Sequence, residues 1–426
     1  MRASRDQLML ALCLGLEALL FVLVAGTARE GASTWTILLA LGASFGPYAG
    51  VLVYSRALGD TRGVEALVML AVATLGAIWL FAPPTLSDDL YRYVWEGRLW
   101  LEGFNPYRLA PDDPALAPLR DELWRSINNK PLATIYPPLS QILFALGAKL
   151  GGGVLGMQAL GLAALVAATG WTQKLTGNPR VALAVGLNPL LSSVSCLDGH
   201  LDVLVGAAFL TAAYALTHER FVGAAFAVCA AVGLKVVGLV ALPFLWPRPK
   251  VLAGAAGLSA LLLWPVWAFR TPTDPVSGAS QFAMRWRGNE SAFAALDWLS
   301  RALFPDSVAA IAPRIFAGLA MTCILAIVLS RRMRPASGIR IALWSVLLLS
   351  PQVHPWYLGW ILPLELAAGG RAALIWSAAV LFAYAPLERW MSDGVWEMPL
   401  GLQIVEYAAV GVALVYDFRS NSKILS

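Results

Sequence analysis

Long apolar runs separated by short charged segments dominate this sequence, among them Leu8–Ala25, Val64–Ala82, Val251–Phe269 and Ile339–Leu349. A helix of about 20 apolar residues crosses the roughly 30 Å hydrocarbon core of a bilayer. Outer-membrane barrel strands would instead be about 10-residue alternating segments, and none dominate here. Only 13% of the 426 residues are charged, against roughly 25% in a soluble protein, too few to cover a globule of this size. The pattern predicts an all-α polytopic integral membrane protein, with about 12–14 spans when short and broken runs are counted.

The start mimics a signal peptide, with Arg2 and Arg5 before an apolar stretch. The run is long, holds Glu17 and lacks a small-x-small cleavage site, so a retained first helix is expected. Cys13, Cys196, Cys229 and Cys323 are far apart without CxxC spacing, which indicates neither disulfides nor a metal site. The net charge of +5 fits basic cytoplasmic loops. No basic patch with a docking motif points to nucleic acid.

The positive-inside rule orients the chain. Arg2, Arg5, Arg56, Arg62, the Arg331–Arg340 group, Arg419 and Lys423 are placed in the cytoplasm, with both termini. Segment Pro83–Ala133, with eight acids against six bases, is then exported. For Arg248 and Lys250 to be cytoplasmic, Phe221–Trp246 must fold back on itself near Lys235. Ile339–Gly370 folds back likewise, at Pro351–Pro355. Five polar clusters thereby share one side: Asp88–Glu102, Tyr136–Pro138, Asp198–Asp202, Lys235 and His354–Tyr357. Ionisable residues at membrane depth are costly and mark sites, and broken helices are tolerated where backbone lines a cavity. One outward-facing polar cavity is expected.

Each cluster also has a plain structural reading. Ser87 is a fitting N-cap, with Asp88 and Asp89 in the first turn complementing the helix dipole. Arg92 and Glu96 follow on one face, with Tyr91 and Trp95 on another, which suits a helix lying on a membrane surface. Gly103 and Pro106 end that helix, leaving Asn105 and Tyr107 less explained. Tyr136 opens a Pro-Pro helix start. Asp198, His200 and Asp202 interrupt an apolar stretch; Asp-x-His-x-Asp is a weak metal tripod, so a divalent metal stays open but is not indicated, and no other cofactor is implied. Lys235 either snorkels from a helix end or faces an anionic group. His354, Trp356 and Tyr357 break another apolar run, where the aromatics also suit an interfacial belt.

Read together, Ser-Asp-Asp-Leu-Tyr-Arg-Tyr-Val-Trp-Glu-Gly (87–97), Gly-Phe-Asn-Pro-Tyr (103–107), Tyr-Pro-Pro-Leu (136–139), Asn-Pro-Leu-Leu (188–191) with Gly-His-Leu-Asp (199–202), Leu-Lys (234–235) and His-Pro-Trp-Tyr (354–357) resemble the GT-C superfamily of polyprenol-phosphate-sugar-dependent glycosyltransferases. The likeness is to its bacterial mannosyltransferase-like members and the catalytic subunit of the first GPI mannosyltransferase. It implies one GT-C-like membrane domain over 1–426, with an added N-terminal hairpin (1–63), a first large external catalytic loop bearing interfacial helices (83–135) and a second external loop (270–307). Two departures stand out: the acidic loop follows the third helix rather than the first, and Val236 replaces the usual proline after the lysine. In the family an aspartate of the first external loop is the base, and the match falls on Asp89, with Asp88 in reserve.

The implied reaction is inverting transfer of a sugar, mannose by resemblance, from a polyprenyl-phosphate donor to a cell-envelope glycan, lipid or protein at the outer face of the cytoplasmic membrane. The phosphate leaves unaided, so the site needs a base for the acceptor and cations for the phosphate. Arg92, Lys235 and His354 are candidates for the phosphate. Tyr107, Tyr136, Trp356 and Tyr357 are candidates for the sugar or isoprenoid, and Glu96, Asn105, Asp198, His200 and Asp202 complete the expected binding set. A transporter or flippase of a lipid-linked sugar would also use broken helices, around a midplane site. A non-catalytic envelope-assembly subunit would leave Asp88 and Asp89 without a role.

Overall fold

The computed structural model describes residues 2–58, 62–151, 153–269 and 278–421. Lys423 and positions 270–277 of the expected second external loop lie outside them. Among the described residues the chain is helical, and the one β-bridge is the isolated parallel pairing of Gly288 with Gln352. The protein is a multi-pass helical membrane protein.

Among the described residues, seven helical segments are long and apolar enough to cross a bilayer: Arg5–Arg29, Thr34–Tyr54, Gly63–Phe81, Val154–Thr176, Pro249–Ala268, Ala312–Ser330 and Leu400–Arg419. A bent pair, Pro179–Gly186 with Pro189–Leu197, makes an eighth if taken as one span. The larger number expected from sequence included shorter apolar helices, four of which are Asp202–Thr217, Phe221–Leu234, Val236–Leu245 and Pro335–Leu349. The long helices turn Leu8, Leu12, Leu261 and Leu319 outward, as lipid-facing surfaces require. Glu17 lies on the inner face of the first helix, fully buried, with neither carboxylate oxygen hydrogen-bonded among the described residues.

The short helices form the middle of the molecule, and small residues let them approach closely. A Cβ on Gly206 would collide with the Gly359 carbonyl, which brings helix Asp202–Thr217 against Leu358–Ala367. Both expected breaks are present. Helix Phe221–Leu234 stops at Lys235, which is extended at φ −149° and ψ 141°, and a 3₁₀ run Val236–Leu245 follows. Ser140 Oγ donates to the Leu234 carbonyl at 2.7 Å and satisfies a group freed by the break. Helix Pro335–Leu349 likewise ends before Pro351, and the chain resumes as helix at Pro355. Arg340, on that first half, pairs with buried Glu365 on the second at 2.8 Å and clamps the bent element.

Helix Asp89–Leu101 departs from expectation. Its aromatic face does not lie on lipid: Trp95 and Leu99 pack on Leu116 and Ile127 of the loop that follows. Its ionic face is not solvated either, since Arg92 and Glu96 are both buried. The loop folds over the helix as a cap. A Cβ on Gly97 would fall inside the Phe144 carbonyl, so glycine there permits close packing on helix Pro138–Lys149.

Candidate active site

The broken helices and the Asp89 helix enclose one cavity of about 930 Å³. Asp88, Asp89, Arg92, Tyr136, Lys235, His354, Trp356 and Tyr357 line it, so residues from four of the five sequence clusters meet in a single space.

The acidic pair sits at the helix start. Ser87 Oγ accepts from the Asp89 amide at 3.3 Å, while Asp88 occupies the cap position itself. The Asn128 side-chain amide donates to Asp88 Oδ1 at 2.6 Å and to Asp89 Oδ1 at 2.8 Å, fixing both carboxylates toward the cavity. Asp88 is exposed to the cavity, but desolvation by the crowded wall around it, and then the neighbouring Asp89 charge, push its carboxyl up to about 6. The second oxygen of Asp89 is held more loosely, with the Tyr136 and Tyr93 hydroxyls at 3.4 and 3.5 Å. An incoming hydroxyl group could displace such long contacts.

Lys235 reaches the cavity from the helix break. Its Nζ is 3.4 Å from Asp202 Oδ1 and lies over the Tyr136 ring, 5.0 Å from the centroid. Asp202 Oδ1 also accepts from the Trp360 indole at 2.6 Å, so this buried carboxylate orients the lysine and shares its charge elsewhere. His354 stacks on Trp356, which in turn stacks on His200, at centroid separations of 4.3 and 3.9 Å. The Gln352 amide nitrogen is 2.5 Å from His354 Nε2.

Arg92 reaches the cavity wall, but its guanidinium is engaged. It pairs with Glu96 at 2.8 Å and donates to the Asn129 and Leu132 carbonyls at 3.0 and 2.5 Å. The expected phosphate contact is thus a tether that holds the following loop. Six other expected binding residues are not on the wall. Glu96 accepts from Thr134 and Gln141 at 2.7 and 2.6 Å. Asn105 Oδ1 closes a turn on the Tyr107 amide, and the Tyr107 hydroxyl donates to the Tyr136 carbonyl at 2.8 Å. Asp198 accepts from the Thr85 and Leu86 amides and anchors the approach to Asp88. His200 Nδ1 meets the Tyr93 hydroxyl at 2.8 Å, behind Asp89. These groups, with Asp202, build the layer that supports the wall. Asp198 and Asp202 serve different partners and form no tripod.

Three contributors escaped the sequence reading. Asn128 lies 39 positions from Asp89, and nothing local distinguishes it from any loop asparagine. Tyr93 was visible within the 87–97 stretch, four residues after Asp89 on the same helix face. Arg285 also lines the cavity and bonds the neutral Gln281 amide at 3.1 Å. Two nearby arginines are more committed: Arg287 to Glu290 and Asp297, Arg314 to the Ala283 and Met284 carbonyls.

Fold and cavity define a polytopic helical membrane protein with an acid pair, a lysine and stacked aromatics around one shared cavity. The family model for the N-terminal domain of alpha-(1->6)-mannopyranosyltransferases matches residues 13–248, more than half of the chain, and the chain belongs to that family. The chain is also 28% identical over 215 residues to the alpha-(1->6)-mannopyranosyltransferase A of Corynebacterium glutamicum. That match covers 46% of this chain and 42% of the relative, so it spans less than half of that protein's length. No solved structure matches the chain significantly.

Proposed function

We propose that this protein is a membrane glycosyltransferase that moves mannose from a polyprenyl-phosphate donor onto a cell-envelope acceptor, at the outer face of the cytoplasmic membrane. The observation that carries this reading is the cavity itself, where Asp89 shares a wall with Lys235 and His354 although the three are scattered over the chain. Family membership supports the sugar and the reaction class. The basic Arg331–Arg340 group supports a cytoplasmic position for that segment.

In the reaction the acceptor oxygen attacks the anomeric carbon of the donor as its proton passes to Asp89. The bond from that carbon to the phosphate oxygen breaks, and polyprenyl phosphate leaves with the electron pair. A single carboxylate acting as base, with no carboxylate nucleophile, gives inversion. Lys235 and Arg285 meet the negative charge on the departing phosphate. Asn128 and the two tyrosine hydroxyls keep Asp89 aimed at the acceptor.

The test is transfer of labelled mannose from polyprenyl-phosphate mannose in proteoliposomes holding the full chain. General-base action contributes about 10²–10⁴-fold, and Asp89→Asn and Asp89→Ala are expected to lose activity on that scale. Near-normal transfer by either variant contradicts the assignment of the base. Label that crosses the bilayer without reaching an acceptor contradicts the reaction class.

A further inference from the structure

Beyond the acid pair, the same cavity reaches a segment near the C-terminal end of the chain. Helix Pro386–Asp393 ends at Gly394, whose φ of 68° reverses the chain. The reversal brings Trp396 back against Trp390, with ring centroids 6.3 Å apart and planes at 74°. Arg389 and Glu397 pair at 2.9 Å across the turn and close it into a clip. Both indoles line the cavity, yet Trp390 is 46% and Trp396 38% exposed.

Three features bear on what such a clip would hold. First, it is joined to the site: the Trp396 indole lies against Gly288, and Gly288 is bridged through backbone hydrogen bonds to Pro351 and Val353, next to His354. Second, the clip is framed by exposed Glu388, Arg389, Asp393 and Glu397 and precedes the last apolar span, which begins at Leu400. Charges of that density belong to the water side of the bilayer rather than to its hydrocarbon. Third, among the described residues neither indole N–H has a hydrogen-bond partner: the two rings meet edge to face, and the Trp396 nitrogen faces the bare backbone of Gly288. An exposed aromatic face with a free N–H matches a pyranose, which offers an apolar C–H face edged by hydroxyls. An isoprenoid chain would use the face and leave the N–H and the charged frame unused.

We infer that Trp390 and Trp396 form a subsite for an oligosaccharide acceptor, holding sugar units beyond the one that is attacked. The inference rests on the proposed glycosyl transfer and narrows its acceptor to a glycan chain.

The experiment uses the full chain in nanodiscs, with α-(1->6)-linked mannotetraose and a single-sugar alkyl mannoside as probes. Calorimetry without donor is expected to show mannotetraose binding that Trp390→Ala and Trp396→Ala each weaken about tenfold, the scale of one lost stacking contact. Trp390→Phe and Trp396→Phe keep a ring and are expected to retain most of the affinity, which separates stacking from misfolding. In transfer assays the Ala variants are expected to raise KM for the tetrasaccharide more than KM for the single sugar. An unchanged ratio of the two, or weakened binding of the donor lipid instead, overturns the subsite. Wild-type protein that binds mannotetraose through the two tryptophans but transfers no mannose overturns the proposed reaction, and with it the acceptor role, while leaving a glycan-binding clip.

Discussion

The two adjacent aspartates are chemically alike and differ in what surrounds them. Asp88 carries the raised carboxyl, ordinarily near 4 and here about 6, because desolvation by the surrounding cavity wall and the Asp89 charge disfavour its ionised form. Its protonated state is therefore the one that folding prefers. The stabilising contribution is complete below about pH 4 and is lost as pH rises through about 6. Asp88→Asn, which can still accept from Asn128, is expected to raise the thermal midpoint at pH 8. The gain should vanish as the pH falls to 4, and a gain independent of pH would show that the charge is not its source. Arg92 and Glu96 illustrate the opposite case. In sequence they are two charges on one helix face, and the pattern read as a solvated stripe. Burial was not legible because the covering residues, Asn129 to Thr134, lie in a loop more than thirty positions away. Glu96→Leu would strand the Arg92 charge inside the protein, at a cost of about 3–5 kcal/mol. A thermal midpoint unchanged in that variant would contradict the tether.

At the scale of elements, the breaks were readable and the contacts were not. A lysine inside an apolar run, and prolines flanking His354 in another, signal that a helix cannot continue through them. Both signals are local, so sequence located them. What the breaks face depends on packing between helices distant in the chain, which has no local trace. The span count differs for a related reason: apolar runs of 10 to 17 residues count as short spans in sequence, and as single helices they fall below the length of a full crossing. Gly97 shows how tightly this packing is set. Its missing Cβ allows the Asp89 helix to rest on the Phe144 backbone, and Tyr93 stacks on Phe144 at 4.4 Å from the same surface. Gly97→Val is expected to push the two helices apart, costing about 1–3 kcal/mol and displacing Tyr93 and Asp89 together. A variant with normal stability and normal transfer would show that the close approach is dispensable.

Across the whole molecule, the cavity is a joint product of both halves of the chain. The family match ends at residue 248, yet His354, Trp356, Trp390 and Trp396 all come from beyond it. The last helix is fastened to this wall by Glu406, which accepts from Asn289 and Trp376 at 2.9 and 2.7 Å, and by the Tyr407 hydroxyl, which donates to the Asn289 carbonyl. Short polar motifs in the sequence mark wall residues in both halves, from Asp89 to His354, whereas the tryptophan clip leaves no such mark, because single tryptophans near a span end read equally well as interfacial anchors. The central claim is that this shared chamber holds the sugar donor between the acid pair and the lysine. A structure of the full chain with a non-cleavable polyprenyl-phosphonate mannose analogue measures it directly. The account predicts sugar density within hydrogen-bond reach of Asp89 and the phosphonate beside Lys235. Analogue density outside the chamber, with Asp89 and Lys235 untouched, would contradict it.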